Sequence, residues 1–374
     1  MKLHFILFLC VIAQPLFAMD KLIIPCINME EVNLGIKRLT AIGFVRKDVI
    51  AALGEDKECR AQFVVRDIKK QKDIIQVNYT PQICQFYDFA IHKSRKYVAL
   101  SQKGLLTVFD ALSGKKEWHY ECDWPQIAFC PVDDPKVAFH DTFKNKLIIY
   151  SNQNEQEIFD FSVEMLNCCP FVHHPVKKEI ILNVVDGYSI YDYDKCTETR
   201  LNRDVFNSTF TIMGMCCNGD GSCIAMMAND TSQNIVALVG SDDLQYLYPN
   251  EIIYKTMLFH PNNKILFLLS SSRDRIESWD CKNKKCNHVI SFKNDGLLLQ
   301  PSNVFRKALA ISDDGRELFI AMINKCIKIP VTLEMLYGTK GTTRLLCSLW
   351  AIKQIKDTFS SDVATIMMQN LIQL

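Results

Sequence analysis

Short stretches rich in Val, Ile, Phe and Tyr alternate with polar turns along most of the chain. Stretches of this length between turn-forming residues read as β-strands. They come in sets. A hydrophobic stretch runs into a polar turn, a second follows, and a third closes on an aromatic or apolar residue and a polar one. The set recurs about every 40 residues, the period range of propeller blades. Its closing residues are Val65-Arg66-Asp67, Val108-Phe109-Asp110, Ile190-Tyr191-Asp192 and Ser278-Trp279-Asp280. The turn between the first two strands recurs as His92–Lys96, Pro131–Asp134, Asn218–Gly221, His260–Asn263 and Ser312–Gly315. Pro, Asn, Asp and Gly are the residues that tight turns require.

Inner strands are predicted at Arg38–Phe44, Phe86–His92, Ile127–Pro131, Met165–Pro170, Thr211–Cys217, Thr256–His260 and Ala308–Ser312, which makes seven sets. In the second set, Lys96–Ser101, Leu105–Asp110 and Glu117–Cys122 are the strands that follow. The seventh set lacks a fourth strand after Cys326–Val331. The strand-like segment Lys21–Ile24 is expected to complete it, which closes the ring and leaves only short edges. The predicted fold class is therefore all-β, a seven-bladed β-propeller over residues 19–335 closed by an N-terminal strand. Past Val331 the period changes. Leu345, Leu346, Leu349, Trp350, Ile352 and Ile355 follow helical spacing, and Val363, Ile366, Met367, Leu371 and Leu374 form a second stripe. Residues 336–374 are predicted to be a short C-terminal helical hairpin. Its apolar stripes either cover apolar surface or serve a partner's groove.

These features resemble the WD40 family and its relatives over roughly residues 20–335. Trp279-Asp280, preceded by Asp274-Arg275-Ile276, is the best single match, and Phe109-Asp110 with Ser113-Gly114-Lys115 is the next. The resemblance implies a propeller that binds proteins. Departures are substantial. No Gly-His dipeptide occurs, so the family's buried His/Asp network does not carry over. Ser151 and Pro330 stand where Asp is expected. Other propellers, of the PQQ or lactonase type, share the same strand pattern.

Composition narrows the picture. The 374 residues are 48% hydrophobic and 23% charged with net charge +1, which suits a large core and gives no reason to expect nucleic acid as partner. Residues 1–18 read as a secretory signal peptide: Lys2, then an apolar run from Leu3 to Ile12, then small residues. Cleavage falls after Ala18 or Ala13, and an uncleaved anchor is the alternative. No later segment is apolar for long enough to span a bilayer. Export, periplasmic or secreted, is the expected localisation. Export permits oxidation of the 16 cysteines. Many of them sit inside hydrophobic stretches, as small buried side chains do. Cys281 and Cys286 flank one predicted turn and offer a disulfide across it.

Catalytic signatures are missing from the sequence. There is no Gly-x-Ser-x-Gly, no His-Glu-x-x-His and no phosphate-cradling glycine loop. Cys168, Cys169, His173 and His174 are close in sequence, but adjacent residues on a strand face opposite ways, so they cannot all converge on zinc. No catalytic residue, metal or cofactor is expected. The chain reads as a monomeric, non-catalytic protein-interaction scaffold. Trp124, Arg273, Asp274 and Arg275 are the candidate binding residues, because Trp and Arg dominate hot spots. A hydrolase- or lactonase-like propeller enzyme with a central-channel site is the alternative, and a structural assembly subunit is a third reading.

Overall fold

In each set, the second and third strands carry apolar residues on both faces. Val49–Glu55 is buried along nearly its whole length, and Ile265–Ser270 is buried at every position. A strand with both faces apolar needs cover on both sides. A fourth strand such as Lys72–Asn78 or Lys285–Ser291 mixes buried and exposed positions, as an edge does. Sheets stacked face to face in a ring meet both demands.

The computed structural model shows that ring. It describes residues 29–338 and 342, less 59, 79–85, 103, 122–126, 131–135, 142–145, 151–155, 161–170, 185–186, 193, 196, 202–210, 230–233, 241–243, 248–253, 271–274, 292–306 and 323–324. Residues 29–331 form one compact unit of seven four-stranded antiparallel sheets. The inner strands of blades one to seven are Arg38–Arg46, Phe86–Ile91, Ile127–Phe129, Phe171–His173, Thr211–Cys217, Tyr254–Phe259 and Leu309–Ile311. Within each of the first six blades the strands pair in chain order. Aromatic side chains fill the seams between blades: Phe63 meets Phe89 at 5.6 Å, and Phe44 meets Phe319 at 5.9 Å.

An N-terminal strand does close the ring, but it lies further along the chain than expected. Glu30–Val32 pairs antiparallel with Cys326–Lys328 and becomes the outer strand of blade seven. Lys21–Ile24 lies outside the described residues. The closing strand buries Val32 opposite Cys326 and turns Glu30 to an ion pair with Lys328 at 2.6 Å. Charge on an edge strand also discourages pairing with other chains. The inner strand of blade four is described at Phe171–His173, and the expected Met165–Pro170 lies outside the described residues.

Residues 332–374 fall in a second unit with residues 1–28. Its described part is a short helix at 333–338, where the Thr332 hydroxyl accepts from the Met335 N–H at 3.4 Å as an N-cap. The remainder of the expected hairpin, and the signal peptide, lie outside the described residues.

Candidate functional site

Antiparallel order sorts the connections onto two rims. Turns between strands one and two, and three and four, gather at one end of the ring. Loops between strands two and three join the blade-to-blade connectors at the other. Between the rims runs a central cavity of about 480 Å³, walled by inner-strand residues such as Ile42, Phe129, Val172, Met215, Leu258 and Ile311. Each comes from a strand that alternates between this wall and the blade seams.

Among the described residues, charge reaches the cavity at two places, and both are ion pairs that straddle blade one. Near the connector rim, Lys307 of blade seven lies 3.1 Å from Asp88 of blade two and donates to the Phe89 carbonyl at 2.6 Å. Its own carbonyl accepts from the Ile42 N–H of blade one at 2.6 Å. At the turn rim, Arg95 of blade two donates to the Phe44 carbonyl of blade one at 2.7 Å and to Asp313 of blade seven at 2.6 Å. Arg95 holds φ +61° to do so, at the turn position where blades five and seven use Gly221 and Gly315. The two pairs staple blades seven and two across the inner strand of blade one. Each ammonium or guanidinium meets a carboxylate and a carbonyl, an arrangement suited to holding strands together.

The described thiols are chemically quiet. Burial pushes Cys217 and Cys281 up to about 12, and Cys223 and Cys286 up to about 11, so each is a neutral thiol near pH 7. The thiolate is the nucleophile and the metal ligand, and it is scarce here. His173 is buried with its Nε2 3.8 Å from Cys130 Sγ, and burial drives its pKa down to about 3. Among the described residues, no three His, Cys, Asp or Glu side chains gather in a way that could hold a metal.

Of the residues singled out from the sequence, Trp124, Arg273 and Asp274 lie outside the described residues. Arg275 opens the third strand of blade six and pairs with Glu277 at 2.8 Å. It is held within its own blade. Cys281 and Cys286 do not form the expected disulfide, and both are free thiols. The register explains why. Cys286 stands opposite Trp279, while Cys281 lies beyond Asp280 in the turn and packs into the seam between blades five and six. The reading from sequence also missed Asp88, Lys307 and Arg95. Asp88 and Lys307 are 219 residues apart, so no local spacing announces them.

No protein-family model and no curated protein sequence matches the chain. Solved structures do. The β-propeller domain of Cps50 (Swd1) from Myceliophteria thermophila superimposes with a TM-score of 0.61 over 82% of this chain and 100% of that domain, at 11% identity. The fold is that of a WD40-type β-propeller. At that identity the likeness concerns shape, and 1208 solved chains match it, so the WD40-type fold names no function here.

Blade six carries a buried polar cluster of its own. Trp279 Nε1 donates to Glu277 Oε2 at 2.9 Å within the same strand. Glu277 is 5% exposed, and Arg275 neutralises it. The Tyr254 hydroxyl lies beside both. Burial first, and Glu277 second, raise its pKa well above the ordinary tyrosine value.

The recurring Asp has a separate task at the turn rim. Asp110 accepts from the Leu112 and Ser113 N–H groups and the Ser113 hydroxyl, at 2.8 to 2.9 Å. Asp67 caps Lys70, Asp192 caps Asp194 and Lys195, and Asp280 caps Asn283 in the same way. Each closes the turn into the fourth strand, an Asx-turn. Pro330 breaks the spelling because no turn follows it: the fourth strand of blade seven is Glu30–Val32.

The capping carries a pH dependence. Burial pulls the Asp110 pKa up, but the Ser113 and Leu112 hydrogen bonds outweigh it and hold the carboxyl below its ordinary value. A depressed carboxylate stabilises the fold above its unfolded pKa, and the benefit is lost as pH falls through the folded one. Asp110→Ala should cost about 1–2 kcal/mol at pH 7. The difference from wild type should shrink below about pH 4, as read by urea midpoints at both pH values.

Proposed function

We propose that this chain is an exported, non-catalytic scaffold that binds protein partners through loops held rigidly by the WD40-type ring. The observation that supports this reading best is the pairing of the channel's charged groups. Asp88 with Lys307, and Arg95 with Asp313, are engaged in bracing blade one. The remaining wall is largely apolar. Loops on a rigid frame lose little entropy on binding, so a propeller suits presentation. Trp124, Arg273 and Asp274 are the proposed anchors.

Capture from the native compartment tests this. The immobilised protein should retain a protein partner, and Trp124→Ala with Arg273→Ala should weaken retention at least tenfold. The purified protein should carry no stoichiometric divalent ion and turn over neither esters nor lactones. A bound ion together with turnover would establish the enzyme reading instead. Export predicts a mature N-terminus at Met19 or Gln14 by mass spectrometry, and a cell-associated chain starting at Met1 overturns it.

A further inference from the structure

The turns that join first and second strands share a side-chain position with a constant job. Its occupant accepts a hydrogen bond from a backbone N–H of its own hairpin. In blade five this is Asn218, whose Oδ1 accepts from the Cys223 N–H at 3.0 Å. In blade seven it is Ser312, accepting from the Glu317 N–H at 2.9 Å. In blades four and six the same position holds His174 and His260, which are 7% and 8% exposed.

Each histidine does two things at once. His260 Nδ1 accepts from the Asn262 N–H at 3.0 Å. Its Nε2 lies 3.0 Å from the Gly315 carbonyl of blade seven, which can only accept, so Nε2 carries the proton. His174 Nδ1 accepts from the Lys177 and Val176 N–H groups at 3.0 and 3.2 Å. The far side of its ring faces Gly221 of blade five. Gly221 and Gly315 sit at φ +76° and +71°, and a Cβ on either would collide with the facing imidazole. Each ring is thus a wedge between two blades, fitted in one neutral tautomer.

We propose that His174 and His260 make the ring proton-sensitive, clamping blade four to five and blade six to seven when neutral and releasing those seams on protonation. The physical step is simple. A proton added at Nδ1 sets an N–H against the backbone N–H that this nitrogen accepts, so the turn must open or the ring must swing out. Asn218 and Ser312 carry no such proton site, and their turns stay closed.

The charged surroundings do not cancel the effect. Around His174, burial dominates and disfavours the charged ring, opposed by Glu179 of its own blade and Asp220 of blade five, while Lys177 adds to it. Around His260, the packed turns carry Asp220 from blade five, Asp313, Asp314 and Arg316 from blade seven, and Lys264 from its own. Asp313 is paired with Arg95, and Asp314 accepts from the Ser312 hydroxyl. At His174, where burial disfavours the charged ring, the neutral form stabilises the fold above the unfolded pKa of about 6.5, and that contribution is lost as pH falls below it.

Hydrogen exchange on the whole protein tests this, with rates corrected for intrinsic pH dependence. Between pH 7.5 and 5.5, peptides spanning 174–178 and 260–264 should lose at least tenfold protection. The C-terminal turns of the blades, such as 111–115, should lose none. The double variant His174→Asn, His260→Asn places the blade-five residue at both positions and should abolish the difference. Equal protection in wild type at both pH values overturns the proposal, as does a pH response that survives in the double variant. Imidazole NMR on wild type gives an independent reading: ring protonation should coincide with the loss of protection. Rings that protonate while the turns stay protected overturn it as well.

Discussion

Val32→Asp should lower the thermal midpoint by roughly 5–8 °C. Val32 is buried opposite Cys326 in the three-residue strand that finishes blade seven. A carboxylate there has no partner, and an uncompensated buried charge costs about 3–5 kcal/mol. Unfolding entropy grows with chain length, so about 300 residues give roughly 1.6 °C per kcal/mol. Deleting residues 29–32 is the companion experiment. It leaves the edge of Cys326–Pro330 open, and an open edge invites pairing with other chains. Light scattering should then show association that rises with concentration. If both variants melt like wild type and remain monodisperse, the closure does not hold the ring.

Glu277→Ala should also be destabilising, for a different reason. The substitution strands the Trp279 N–H and the Arg275 guanidinium, whose side chain is 30% exposed. Water reaches the charge left behind, so the cost is about 1–3 kcal/mol, less than for a fully buried pair. Urea unfolding should show a lower midpoint with an unchanged slope. The double replacement Arg275→Leu, Glu277→Leu should recover most of the loss, because a buried pair can be exchanged for apolar side chains at little net cost. A double variant no better than the single one would mean that Glu277 matters through Trp279 rather than through Arg275.

The blades were legible in the sequence because strand period, turn residues and capping Asp all repeat locally. Thr211–Cys217 and Leu105–Asp110 fall at their predicted bounds. The closing strand was harder to see. Leu22–Ile24 reads as a continuous apolar run, whereas Glu30–Val32 has one buried residue and two acids. A short edge strand with one wet face leaves little hydrophobic pattern to find. The two staples across blade one were invisible for another reason: they join residues of blades two and seven, brought together only when the ring closes. Cys281 and Cys286 show the opposite error, where nearness in sequence implied a bond that the hairpin register does not make.

Blade seven is assembled from both ends of the propeller chain, and that fixes a timetable. Glu30–Val32 is made early, yet its partner Cys326–Lys328 is made roughly 300 residues later. At ribosomal speeds of 5–20 residues per second, the first strand waits about 15–60 s for its only ladder. Until then its register has no template and blade seven lacks its outer ladder, although Lys307 and Asp313, the blade-seven members of the two staples, have already been made. The ring of such a chain therefore closes only after the last strand has been made.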